Sequence, residues 1–127
     1  MASFVDDHRR NVDEKGRVII PSEYRKQLGS EFIAARGFDK QISLYPLAEW
    51  EKHFDKYADG DETDPEVRKK QRIMSSTASH VKQDNQGRTN IPQKLREYAG
   101  IKSTVCFIGV TNRIEVWDAD EYEEYFK

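Results

Sequence analysis

Two arginines each follow a glycine directly, and each glycine lies three residues after an aspartate: Asp13, Gly16 and Arg17 in DEKGRVIIP, then Asp84, Gly87 and Arg88 in DNQGRTNIP. An aspartate and a glycine at that spacing suit a hairpin. The carboxylate can accept backbone N–H groups in the turn, and glycine takes the left-handed conformation that short loops need. Pro21 and Pro92 then stop the ladder and preset the backbone for a helix start. Those six residues are accounted for by building the turn, but no turn geometry calls for arginine. A turn-mounted guanidinium is a planar fork that can pair bidentately with a phosphate or with O6 and N7 of guanine. Arg17 and Arg88 are therefore the candidate DNA contacts. A second arginine follows each proline by four residues, and Arg25 and Arg96 are expected either to position phosphates or to be ion-paired. Arg9, Arg10 and Lys15 lie close to Arg17 in the chain, whereas Lys15 is matched by Gln86 in the second copy. The first hairpin is thus expected to be the stronger reader.

The elements that must position these arginines are themselves repeated. A shift of 71 pairs Asp13 with Asp84, Gly16 with Gly87, Arg17 with Arg88, Ile20 with Ile91, Pro21 with Pro92, Arg25 with Arg96 and Gly29 with Gly100. One inserted residue moves the shift to 72, pairing Gly37 with Gly109, Ile42 with Ile114, Tyr45 with Trp117 and Phe54 with Phe126. Within each unit, RVIIP and RTNIP read as strands, and SEYRKQLG and PQKLREYAG as two-turn helices with Tyr24 and Leu28, or Leu95 and Ala99, on one face. FIAARGF with QISLYP, and TVCFIGV with RIEVWD, read as further strand pairs. Each unit closes on an amphipathic helix whose stripe is Leu47, Trp50, Phe54 and Tyr57 in the first, and Tyr122, Tyr125 and Phe126 in the second. These stripes are expected to be core or interface rather than a ligand box. Asp118 with Glu121 resembles a capping box. Asp64 before Pro65 reads as the cap of a linker helix whose Val67, Ile73, Met74 and Ala78 pack and whose Arg68, Lys69, Lys70 and Arg72 mostly face solvent, or else contact DNA or a neighbouring subunit.

The 127 residues suffice for one compact domain or a fused pair. The net charge is −2, but segment 68–102 sums to +7 while segment 31–67 sums to −6, so an acidic protein can still carry a basic face. No run of about 18 apolar residues is present, and Met1 to Asp7 lacks the regions of a secretory signal, so a soluble cytoplasmic protein is expected. The single Cys106 lies in an apolar run and reads as a buried hydrophobe. His8, His53 and His80 show no metal spacing, His80 reading as a strand-surface residue. No Ser, His and Asp set and no phosphate loop appears; neither an enzyme nor a cofactor, metal or small-molecule substrate is expected.

The Asp, Gly, Arg and Pro pattern, followed by a short helix bearing a further arginine, resembles the AbrB-type, or SpoVT-AbrB, DNA-binding unit. Two such units in one short chain resemble the MraZ family, and the likeness extends to ARGF, LYPLAEW, Arg68 with Arg72, LREYAG and FIGVTNRIEVWD. Phe4 followed by Asp6, where the family has glycine, and Arg10, where it often has histidine, are departures at the start. The resemblance implies an α+β, mainly β fold: a double-split, swapped-hairpin β-barrel made by two tandem repeats, with flanking helices. Its expected parts are a first repeat over 7–54, a linker with a basic helix over 55–78 and a second repeat over 79–127. It also implies a nucleoid-associated transcriptional regulator that binds direct repeats in the promoter of the division and cell-wall gene cluster and assembles into a homo-oligomeric ring. The rival readings are an AbrB-fold antitoxin or protein-interaction module, and a purely structural ring-forming protein.

Overall fold

The computed structural model describes residues 8–127; the departures at Phe4 and Asp6, the Met1 to Asp7 segment read as lacking a secretory signal, and the first residue of the first repeat lie outside them. In chain order the first repeat contributes β1 (Arg9–Asn11), β2 (Arg17–Ile19), α1 (Ser22–Leu28), β3 (Glu31–Arg36), β4 (Ile42–Pro46) and α2 (Leu47–Ala58). A linker helix α3 (Pro65–Thr77) precedes β5 (Ser79–Lys82), β6 (Arg88–Asn90), α4 (Gln93–Tyr98), β7 (Thr104–Val110), β8 (Arg113–Asp118) and α5 (Ala119–Tyr125).

The pairing of these strands exchanges partners between the repeats. A six-stranded antiparallel sheet runs β1-β7-β8-β4-β3-β5, and β2 and β6 pair separately as a two-stranded antiparallel ribbon. The first strand of each repeat thus pairs with the third strand of the other, Arg9 facing Cys106 and Phe32 facing Val81. The two fourth strands meet at the centre, where Leu44 faces Ile114. One apolar core fills the space between sheet, ribbon and short helices, with Phe32, Phe107, Ile20, Ile91, Ile42, Leu44, Ile114 and Leu95 all but excluded from solvent. Each such side chain contributes about 1.5–3 kcal/mol on burial. Both repeats supply it, so neither holds a complete core by itself.

The ladder does not close into the expected barrel: β1 and β5 remain the two edges of the sheet, and the β2–β6 ribbon touches it only through an isolated bridge between Gln83, just after β5, and Thr89. The reason lies in length and chemistry. β2 and β6 span three residues each, bounded by Gly16 and Gly87 on one side and by Pro21 and Pro92 shortly after on the other. Proline has no N–H to extend a ladder.

The expected punctuation is present. Pro21 and Pro92 immediately precede α1 and α4, Gly29 and Gly100 follow those helices closely with φ of 80° and 65°, and Asp64 accepts from Glu66 N at 2.9 Å with Pro65 opening α3. Asp118 caps α5 by accepting from Asp120 N and Glu121 N, both at 3.2 Å. The Glu121 carboxylate pairs instead with Lys40 of the first repeat, so that half of the capping box becomes a tie between repeats. Cys106 is buried, Met74 anchors α3, and His80 sits exposed on β5. Arg68 folds back onto the carbonyls of Glu62 and Thr63, and Lys70 lies over the rings of Phe38 and Tyr57, so only Lys69 and Arg72 of the linker cluster are fully exposed.

The aromatic stripes are not core within one chain. α2 has no buried residue, and Leu47, Phe54, Tyr125 and Phe126 are exposed at 41%, 38%, 54% and 62%. Tyr45, Trp50 and His53 stack beside β4, and Trp117, Tyr122, Tyr125 and Phe126 form the matching cluster beside β8.

The crossing of the repeats depends on two glycines. Gly16 has φ of 84°, and a Cβ there would lie 2.5 Å from Arg96 Nε and 2.7 Å from Ile91 O, both in the other repeat. Gly87, with φ of 81°, meets Arg25 Nε and Ile20 O in the same way. Gly16→Ala is expected to cost about 2–3 kcal/mol, from the left-handed backbone plus the collision. Chemical denaturation measures this; an unchanged midpoint would contradict the close approach.

Candidate nucleic-acid interface

Each Asp-to-Arg turn is built around its aspartate. Asp13 Oδ1 accepts from Lys15 N and Arg17 N, both at 2.9 Å, while Oδ2 accepts from Arg17 Nε at 2.6 Å. Asp84 repeats the arrangement with Gln86 N at 2.9 Å, Arg88 N at 3.0 Å and Arg88 Nε at 2.6 Å. The loop closes with Gly16 N donating to Asp13 O and Asp13 N to Arg17 O, and the second copy matches it. The aspartate therefore does two things: it shapes the turn and clamps one edge of the guanidinium. Among the described residues the Nη atoms of Arg17 and Arg88 have no protein partner, and the side chains stay 63% and 64% exposed. A fork held at Nε with both Nη groups outward is preorganised for two parallel hydrogen bonds to one acceptor pair.

The ribbon then brings the two arginines, 71 positions apart in sequence, onto one surface. Its register sets Arg17 opposite Asn90, Val18 opposite Thr89 and Ile19 opposite Arg88. Val18 and Thr89 point inward at 3% and 7% exposure, so period-two alternation turns Arg17, Ile19, Arg88 and Asn90 outward together. Beyond the ribbon, Ile20 N donates to Gly87 O and Ile91 N to Gly16 O, locking each strand to the other repeat's turn. Arg17, Ile19, Arg88 and Asn90 border an open groove of about 640 Å³.

Arg25 and Arg96 lie behind this surface. Their Nε atoms donate to Ile20 O at 2.7 Å and to Ile91 O at 2.9 Å, each carbonyl standing just before the proline, and their side chains pack against the opposite glycine. Both are only partly exposed and neither joins an ion pair among the described residues, which sets aside the ion-paired alternative. The carbonyl bonds account for both positions structurally. Arg9 reaches Glu123 on α5, and Arg10 Nη1 donates to Arg9 O at 2.7 Å. Neither lines the groove; Lys15 is exposed on the turn beside it.

Asn11 and Lys82 also border the groove, and sequence reasoning passed over them. The signal was available: the shift of 71, carried back two residues before Asp13, aligns Asn11 with Lys82. Ile19 and Asn90 align under the same shift, and a mismatched pair does not stand out in a repeat.

Fold and site together define a two-repeat α+β protein that presents paired, aspartate-clamped arginines on a crossed β-ribbon. The family model for the MraZ protein, whose description adds "antitoxin-like", matches residues 4–73 and again 74–127. Proteins named transcriptional regulator MraZ are 44% identical to this chain in Acetivibrio thermocellus, 41% in Finegoldia magna and 39% in Natranaerobius thermophilus. Each likeness spans 122 residues, 96% of this chain and 85% of that protein. The chain belongs to the MraZ family.

The clamp has a pH signature. Backbone and side-chain hydrogen bonds from Arg17 hold the Asp13 carboxyl below the usual aspartate range, and side-chain and backbone bonds from Arg88 do the same for Asp84. A depressed folded-state pKa contributes stability that is present above the unfolded value, near 3.9, and is lost as pH falls through the folded value. The stability difference between the native chain and an Asp13→Asn, Asp84→Asn variant should accordingly shrink on acidification. Carbon-detected NMR titration should find both carboxyls ionised below the ordinary range; midpoints at or above it would contradict the clamp.

Proposed function

We propose that this chain is a sequence-specific, double-stranded-DNA-binding transcriptional regulator, with Arg17 and Arg88 reading base edges from the crossed ribbon. The observation that carries this reading is the placement of two outward guanidinium forks, one from each repeat, on a single two-stranded ribbon. A B-DNA major groove about 12 Å wide admits a two-stranded ribbon, and an arginine fork matches O6 and N7 of guanine. The aspartate partners argue for base reading over phosphate binding. A carboxylate next to the arginine cancels much of its long-range charge while fixing its direction, and direction is what base recognition needs. Phosphate contacts then fall to Lys15 and Lys82 beside the turns, with Arg9 and Arg10, on β1 and outside the groove, as further candidates and Arg25 and Arg96 supporting the frame. Lys15 against Gln86 favours the first hairpin as the stronger contact.

The names of the relatives support a transcriptional role. The family resemblance adds the finer reading: direct repeats in the promoter of the division and cell-wall gene cluster, a nucleoid-associated cytoplasmic protein and a ring-shaped homo-oligomer. The exposed aromatic clusters on α2 and α5, one per repeat, are the surfaces such a ring would bury. Assembly also answers an energetic need. A three-residue ribbon makes few contacts, and several ribbons on tandem sites convert later contacts into intramolecular ones. The same exposed clusters are what a protein-interaction module or a structural ring would use, and those readings predict no sequence-selective DNA binding.

The test is binding of the protein's own upstream region, with a scrambled-repeat control. Arg17→Ala and Arg88→Ala should each weaken binding by roughly tenfold or more, as loss of a bidentate base contact does, with the larger effect at Arg17. Affinity should fall steeply with salt and when the repeats are cut to one. Undiminished affinity in a folded, assembled Arg17→Ala protein, or equal binding to the scrambled control, would overturn the reading.

A further inference from the structure

The ribbon has a near-twofold axis through the Val18 and Thr89 pair, and its symmetry is broken on the outward face. Arg17 and Arg88 are equivalents under the repeat, as are Ile19 and Asn90, so one end of the ribbon presents Arg17 beside Asn90 and the other presents Arg88 beside Ile19. The turns on either side do not share the difference at their backbone, for their hydrogen bonds agree within 0.1 Å. The asymmetry therefore lies in side chains alone.

Neither residue is explained by the fold. Ile19 is 46% exposed, and the fold holds an asparagine at the equivalent position, so nothing in the ribbon requires an apolar residue there. Asn90 is exposed, and among the described residues its amide has no hydrogen-bond partner. Each stands directly across the ribbon from an aspartate-clamped arginine, at the spacing where cross-strand side chains act together. The chemistry of the two is complementary to different base edges. A carboxamide can donate to N7 and accept from N6 of adenine, and an aliphatic group packs on the C5-methyl of thymine.

Resting on the DNA-reading role proposed above, we propose that Ile19 and Asn90 are the specificity-determining pair of the ribbon. Asn90 takes an adenine edge and Ile19 a thymine methyl, so that one chain reads a site with a direction. A ribbon with the same residue at both positions would read both orientations alike. A directional ribbon, copied around an assembly, instead matches tandem sites that all run the same way.

Selection from a randomised duplex pool by the full-length protein tests this, followed by base analogues in the selected site. The native protein should enrich a non-palindromic site flanking its guanines with adenine on one side and thymine on the other. Ile19→Asn should shift selection towards adenine at both flanks, and Asn90→Ile towards thymine. Replacing that thymine by deoxyuridine should weaken native binding by about threefold to fivefold, the size of one methyl group, and leave Ile19→Asn binding unaffected. Replacing the adenine by 7-deazaadenine should weaken native binding about tenfold and leave Asn90→Ile unaffected. The analogues need no variant, so the result stands even if a substitution disturbs folding. Enrichment of a site whose flanks are indifferent to both analogues would overturn this inference while leaving the DNA-reading role intact. Failure of the native protein to enrich any sequence would overturn both.

Discussion

Gly16 and Gly87 each let the other repeat come closer than any side chain would allow. In the space a Cβ would occupy stand an arginine from the opposite repeat and the carbonyl that this arginine holds, while the glycine's own carbonyl accepts the opposite isoleucine's N–H. This reciprocal contact makes the two turns a single structure. It fixes the register of β2 against β6, which sets Val18 and Thr89 inward and the arginines outward, and the same crossing gives each repeat's first strand to the other repeat's sheet. With the core drawn from both halves, separating the repeats would expose apolar surface on each and leave backbone donors unpaired.

The crossing also explains how an acidic chain can present an arginine-centred face. Charge is kept local: each arginine carries its own carboxylate, and the acidic helices α2 and α5 lie beyond the sheet, bound to it through aromatic stacking and through ties such as Lys40 with Glu121. What the ribbon offers is direction and donor geometry more than potential. That division is what the proposed reading requires, with selectivity resting on a few base contacts and affinity gathered by repetition.

Much of this was legible in the residues. Turn chemistry is local, so Asp13, Gly16, Pro21 and their counterparts could be assigned from types and spacing, as could the caps at Asp64 and Asp118 and the burial of Cys106. The strand and helix order followed from the repeat. What could not be read was pairing across the chain. Nothing in RVI or RTN says that these strands pair with each other while β1 and β5 remain sheet edges, because a ladder partner is chosen by the whole fold. Arg25 and Arg96 illustrate the same limit: in sequence they look like two more cations for DNA, and only the crossing reveals a carbonyl and a facing glycine waiting for each. Exposure was the other gap, since an amphipathic stripe looks alike whether it packs within its own chain or against a neighbour.

One chain's two repeats form the ribbon with each other. Cysteines placed at Ile19 and Arg88, directly opposed and solvent-facing, test it without entering the core. Mild oxidation of the assembled protein, followed by denaturing electrophoresis without reductant, should yield an internal disulfide in a chain of monomer mass. Cross-linked pairs of chains, or no cross-link at all, would contradict the crossed ribbon.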